Sequence, residues 1–340
     1  MNIGIIGYGL MGRNRAKALA RIEGVRLAAA FDPDPSRVAE AAAAYGCAPE
    51  ASVETLLHRP DLDAVIVAVP HFLTHEIATA ALRTGRHVFC EKPLGLNMRE
   101  CESILSCVGP GQRFASGFNY RFYPGIQKAK ALLSSGAVGE LTHVRFVLGH
   151  GGRPGYEGEW KTSKALCGGG ALLDPGIHVI DLLRFLAGEV QGGDAHLTRS
   201  FWPVDVEDNA FATLRLEQNR VAQIHISITE WQSLFSLDLF GTDAQIQIRG
   251  RGGFYGPQRF RVVRRWEWLQ TTPPLTEEEF PSEDLSFTAE LRAFVEYIRG
   301  AAPGHLSLAE DGRRAMEILE NLYSAARWNE SSLSTAAIVR

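Results

Sequence analysis

Apolar and polar positions change period along the chain, and that change divides it in two. Through the first 118 residues, short unbroken apolar runs alternate with stretches of helical spacing. Residues 2–7 read as a short buried strand, followed by a helical run to about residue 21, and residues 25–31 read as a second strand. Residues 63–70 form a continuous apolar run of the kind found in a parallel strand covered on both faces. Residues 74–84 have helical spacing, with Ile77, Ala78, Ala81 and Leu82 on one face. A strand at 86–90, a helix at 97–107 and a strand at 112–118 complete the series. This βαβ alternation predicts a doubly wound parallel sheet.

The second part has a different rhythm. A helix runs to about Ser134, a strand covers 141–148, and residues 150–170 form a long glycine-rich loop. Long loops inside compact domains are usually functional. A helix with an apolar stripe of Val179, Leu182, Leu183 and Leu186 comes next. Alternating strands at 209–216, 220–229, 233–240 and 244–249 predict an antiparallel sheet with one covered face. The Pro- and Glu-rich stretch 271–282 reads as a linker, and two helices, 286–299 and 308–328, end the chain.

With 340 residues, two domains are expected, a dinucleotide-binding domain at 1–119 and a substrate-binding and oligomerisation domain at 120–340. The balance of 45% hydrophobic and 22% charged residues is that of a globular chain, and a net charge of −4 gives no reason to expect nucleic acid. No run approaches the roughly 18 apolar residues of a membrane span. Five cysteines, odd in number and without C-x-x-C spacing, fit a reduced cytoplasmic protein.

Gly7-Tyr8-Gly9-Leu10-Met11-Gly12 lies between a strand and a helix, the context a dinucleotide fingerprint requires. Gly7 permits the turn, Gly9 lets backbone approach a pyrophosphate, and Gly12 lets helix and strand close up. Asp32 stands twenty residues after Gly12, where a carboxylate binds an adenosine ribose and repels a 2′-phosphate, favouring NAD over NADP. Arg37 either borders the adenine or is a solvated helix-face arginine. Val69, Pro70, His71, Glu91 and Lys92 fall at the carboxyl ends of later strands, where such sheets bind ligands.

In the second part, Gly168-Gly169-Gly170 leads to Asp174-Pro175 and a helix start, with Asp174 expected as N-cap and Pro175 as first helical residue. Asp174, His178 and Asp181 share a helix face. An imidazole in a first turn sits in a positive end-field that favours its neutral, proton-accepting form. His178 is therefore a candidate base, or only a packed histidine; Asp181 reads as structural, and no second cluster completes a metal site. Arg153, Tyr156, Trp160 and Lys161 in the glycine-rich loop supply the flat faces and donors suited to a polar ring.

Together these features resemble the Gfo/Idh/MocA family. The matching pieces are the glycine motif, Asp32, residues 85–93 ending in Glu91-Lys92-Pro93, Asn119-Tyr120-Arg121, and the stretch from Gly168 to Asp181, in the family's order. The Glu-Lys-Pro step followed by the glycine-Asp-His stretch is far more specific than the dinucleotide fingerprint. Where the family usually carries Asn after the Pro70 position, this chain carries His71. The resemblance implies a Rossmann domain and an α/β domain with a large open, mostly antiparallel sheet. It implies catalytic roles for Lys92, Asp174 and His178, with Tyr120 and Arg121 near substrate.

The expected activity is NAD-dependent oxidation of a secondary alcohol on a sugar, sugar derivative or cyclitol, by a homo-oligomer (dimer or tetramer). His178 would act as general acid/base and Lys92 would assist at the same oxygen. The alternatives are a sugar sensor that binds dinucleotide without turnover and a reductase of an aromatic or tetrapyrrole substrate. The complete set of Lys92, Asp174 and His178 weighs against the sensor, and the polar Arg121, Arg153 and Lys161 weigh against the reductase.

Overall fold

The structure is a computed structural model and describes residues 1–266 and 274–330. The chain folds as two compact units. The first comprises Met1–Phe122 and Leu285–Met316, and the second comprises Tyr123–Asp284 and Glu317 onward. The expected division at 119/120 did not foresee the return of residues 285–316 to the first unit.

In the first unit, β1 (Asn2–Ile6), β2 (Arg26–Phe31), β3 (Ala48–Pro49), β4 (Ala64–Val67), β5 (His87–Glu91) and β6 (Phe114–Gly117) make one sheet, ordered β3-β2-β1-β4-β5-β6. Every pair in it is parallel. Helices α1 (Leu10–Leu19), α2 (Pro35–Tyr45), α3 (Val53–Leu57), α4 (His71–Arg83) and α5 (Met98–Leu105) connect the strands. Strand order reverses between β1 and β4, which opens a crevice at their carboxyl ends. The apolar runs are unbroken because the strands are covered on both sides: Ile3, Ile5 and Ala64 to Ile66 have no exposed surface.

After β6 comes α6 (Pro124–Ser134), which belongs to the second unit. Its sheet is built from β7 (Leu141–Gly149), β8 (Val190–Arg199), β9 (Asn209–Leu216), β10 (Val221–Ser227), β11 (Leu234–Gly241), β12 (Ala244–Arg249), β13 (Gln258–Arg264), β14 (Leu275–Phe280) and β15 (Arg327–Glu330). The strand order is β14-β13-β12-β11-β7-β10-β9-β8-β15. Among the described residues, only β7–β10 and β8–β15 of this sheet pair in parallel. A short helix, α7 (Lys164–Cys167), forms within the stretch read as a glycine-rich loop, and α8 (Gly176–Ala187) follows it and packs on β7, β8 and β10. Along β9, Ala210, Ala212, Leu214 and Leu216 face that packing while Phe211 is left exposed.

The last helices are α9 (Ser286–Ile298) and α10 (Ala309–Ala325). From α9, Leu291, Phe294 and Val295 join Ile3, Ile5, Leu19 and Phe89 in the first core. In the middle of α1, Arg15 is fully buried and bonds Glu91 and Glu290, each at 2.6 Å.

Several elements differ from the expectation. Strands β3, β8 and β13 lay outside the anticipated set, and β14 occupies half of the stretch read as a linker, whose residues 271–273 lie outside the described residues. Strand β14 is an exposed acidic edge whose Glu277 and Glu279 pair across the strand with Arg261 and Arg259. Its composition hides its conformation, because charged edge strands lack the alternation of half-buried ones. The last helix ends at Ala325, and Arg327 to Glu330 form β15 instead. Among the described residues, no helix is long and apolar enough to cross a membrane.

Candidate functional site

The nucleotide half of the site grows from the loop between β1 and α1. Gly7 has a positive φ of 90°, and a Cβ there would run into the Ala68 carbonyl; one on Gly12 would run into the Gly7 carbonyl. Gly9 is different. A Cβ on it would meet only the Arg37 guanidinium, at 4.0 Å, so the start of α1 is open on that side. Among the described residues no side chain caps α1, and the N–H groups and end-field of its first turn suit a diphosphate.

Asp32 lies at the end of β2 and is nearly buried. It accepts the Tyr8 N–H at 2.7 Å and the Asp34 N–H at 3.0 Å. These bonds hold the carboxylate beside the glycine loop, and Arg37 reaches it at 3.5 Å. The residues present thus fit a dinucleotide with an unphosphorylated ribose.

The expected cofactor residues separate by role. Tyr8 contributes backbone, since its ring is buried and burial pushes its phenol up to about 12. Leu10 is mostly exposed at the helix start, and Met11 is half-buried. Val69 and Pro70 follow β4, and buried His71 opens α4. Lys92 follows β5, half-buried, and its bond to Pro93 is cis.

Glu91 departs from its expected role. Its carboxylate is turned inward to Arg15, which binds Glu290 on the other side and lies between the rings of Phe89 and Phe287 at 4.4 and 4.9 Å. An ion pair buried this deeply serves the fold rather than a ligand. Arg121 departs as well: it is buried and paired with Asp311 at 3.1 Å in the first unit, and Tyr120 beside it is buried.

The acid–base half lies in the second unit. Asp174 does not cap a helix as expected. Residues 171–175 form turns, with the Asp174 N–H bonded to the Gly170 carbonyl at 3.0 Å, and α8 begins at Gly176 with no side-chain cap. The Asp174 carboxylate instead accepts Lys161 Nζ at 2.6 Å. Burial alone would lower the Lys161 ammonium, but the Asp174 charge and hydrogen bond outweigh it and raise it, so the pair stays ionised. His178, 7% exposed, is the third residue of α8, and its N–H bonds the Pro175 carbonyl at 3.2 Å.

The loop after β7 supplies the surroundings. His150 accepts the Gly152 N–H on Nδ1 at 3.1 Å, so its ring proton sits on Nε2. Burial lowers His150, Asp174 opposes that, and Lys161 adds to it, so all three share one electrostatic neighbourhood. Burial, and then the Asp174 charge, push the Tyr156 phenol far up, which keeps it a neutral donor. Tyr156 packs against Trp202, ring centroids 5.2 Å apart. Lys161 lies 5.6 Å from the centre of the Trp160 ring, whereas Arg153 is largely solvated and tied to Glu159 at 2.6 Å.

Sequence reasoning missed four residues here. His150 had as its only signal a polar ring directly after a strand. Trp202 and the buried pair Glu207-Asp208 had a fainter one, acidic residues leading into an alternating strand. Asp208 accepts the N–H groups of Ser200, Phe201 and Trp202 at 2.7–3.1 Å, which fixes the Trp202 wall.

Both parts of the chain are similar to known proteins. Residues 1–113 match the GFO/IDH/MocA model described as an oxidoreductase family, NAD-binding Rossmann fold, and residues 126–247 match the GFO/IDH/MocA C-terminal domain. Inositol 2-dehydrogenase 2 of Saccharopolyspora erythraea is 32% identical over 305 residues, covering 87% of this chain and 84% of that protein. The 2,7-anhydro-N-acetylneuraminate hydratase of Mediterraneibacter gnavus is 32% identical over 244 residues, 68% of this chain and 61% of that protein. A solved structure of levoglucosan dehydrogenase with NADH and levoglucosan shares the fold at a TM-score of 0.84, with 23% identity and 96% of both chains covered.

Proposed function

This chain belongs to the GFO/IDH/MocA oxidoreductase family, and on that premise we propose that it is an NAD-dependent dehydrogenase of a secondary alcohol on a sugar, sugar derivative or cyclitol. The observation that carries the reading is the Lys161–Asp174 ion pair, at 2.6 Å, with Asp174 four residues ahead of buried His178. A dinucleotide bound over the glycine loop, with Asp32 at its ribose, supplies the hydride acceptor.

His178 takes the hydroxyl proton as the carbon is oxidised, and returns it in the reverse direction. Its place at the start of α8 favours the neutral ring this requires. Lys92 donates to the same oxygen and offsets the negative charge that develops there. Asp174 keeps Lys161 cationic and aimed, leaving its other N–H groups for neighbouring hydroxyls. Tyr156 and Trp202 offer flat faces to the apolar side of a ring, and Tyr156 a neutral donor.

The test follows NADH absorbance across cyclitols, anhydro sugars such as levoglucosan and 2,7-anhydro-N-acetylneuraminate, amino sugars and nucleotide sugars. One of these classes is oxidised, and His178→Ala and Lys92→Ala each lower kcat by roughly 10²–10⁴-fold. Wild-type rates in both variants would overturn the assignment. NADH binding with no oxidation of any class would favour the sensor.

A further inference from the structure

We propose that Glu207 is a positioning residue, whose buried carboxylate holds the Gly170–Leu172 turn and so places Asp174 and His178; the catalytic part of this rests on the dehydrogenase reading above. Glu207 is 1% exposed. Its two carboxylate oxygens accept the Gly170 N–H, each at 3.1 Å. Oε1 also accepts the Leu172 N–H at 2.9 Å and the Tyr323 hydroxyl at 2.6 Å. Between these two amides, the Ala171 N–H bonds the Glu207 carbonyl at 3.0 Å. Three successive amides of the turn therefore end on one residue more than thirty positions away.

What these amides hold leads directly into the site. The Gly170 carbonyl accepts the Asp174 N–H at 3.0 Å, and the Ala171 carbonyl accepts the Gly176 N–H at 3.0 Å. The path from Glu207 to the ion pair is thus one peptide plane long on each side of Gly170. It also explains the glycines. A Cβ on Gly169 would run into the Tyr323 hydroxyl, and one on Gly170 into the Glu207 carbonyl. Any side chain at either position pushes the turn off its anchor.

Burial alone pushes the Glu207 carboxyl up, and the Tyr323 hydroxyl and the turn amides work against that. Burial, with Glu207 adjacent, pushes the Tyr323 phenol up as well, so it stays a proton donor. A carboxylate suits this place because all its lone pairs accept. An amide of the same size presents N–H to N–H on one side.

The experiment compares Glu207→Gln and Tyr323→Phe with the intact chain, using the alcohol identified by the panel. In Glu207→Gln, kcat falls by roughly ten- to a hundredfold, as expected when an acid–base group is displaced. NADH affinity, read by fluorescence titration, stays at the wild-type value because the nucleotide half lies in the other unit. The limb of the kcat–pH profile that reports His178 shifts. Amide exchange over residues 170–178 rises about tenfold while β9 and β10 keep wild-type protection. Tyr323→Phe gives a smaller change in the same direction, and it carries the test if the Gln variant does not fold. Wild-type kcat and wild-type exchange would overturn the proposal, as would a kcat that falls only with the folded fraction at an unchanged pH profile. The exchange measurement needs no turnover. It therefore judges Glu207 even if no alcohol is oxidised, whereas NADH binding without oxidation of any alcohol class sinks only the dehydrogenase reading.

Discussion

Replacing Arg15 with Met tests how the first unit is held together. Arg15 has no exposed surface, its Nε and Nη1 bond Glu91 and Glu290 at 2.6 Å, and it lies between the Phe89 and Phe287 rings. Met fills the apolar slot between the rings, so the loss is mainly electrostatic. Two carboxylates are left buried without their cation. They have little room to move, because a Cβ on Gly117 would already meet Glu91 Oε2 at 2.7 Å. Breaking a buried pair from one side costs about 3–5 kcal/mol. For a unit of this size, that lowers the melting temperature by on the order of 10 °C.

The assay is a cycle of Arg15→Met, Glu290→Gln and the double variant in calorimetry and urea unfolding. Glu290→Gln leaves Arg15 its Glu91 partner and costs less, about 1–3 kcal/mol. Because the double variant removes one stranded anion, its loss falls short of the sum by roughly 1–3 kcal/mol. A loss below about 1 kcal/mol in Arg15→Met, or an additive cycle, would refute the reasoning.

Two further outcomes follow from the site and from three half-buried histidines. Burial lowers His87, His150 and His225, so the unfolded chain takes up protons first as pH falls. Their contribution is complete above about pH 6.5 and is lost below it, so the melting temperature drops between about pH 7.5 and 5.5, and His150→Gln flattens that slope; an unchanged slope contradicts the assignment for His150. With Asp32 held beside the glycine loop, NADP supports less than about a tenth of the NAD rate, and Asp32→Ser narrows the gap; equal wild-type rates with both cofactors would contradict the role of Asp32.

Local pattern alone determined a good part of this protein. Five of the six strands of the first sheet, the glycine loop, Asp32 and the helix carrying His178 are legible because period and turn chemistry act over a few residues. Tertiary structure decided the rest, where partners are far apart in the chain. Arg15 meets Glu91 and Glu290 across separations of 76 and 275 residues, so nothing local revealed that Glu91 turns inward or that α9 returns to the first core. Arg121 and Asp311 are separated by 190 residues, and a buried pair at that distance looks in sequence like any arginine beside a tyrosine. Asp174, expected to cap the helix, pairs with Lys161 instead. Glu207 gained its role only when the chain folded back on the glycine turn, because a carboxylate's hydrogen bonds depend on which amides the fold brings within 3 Å or so of it.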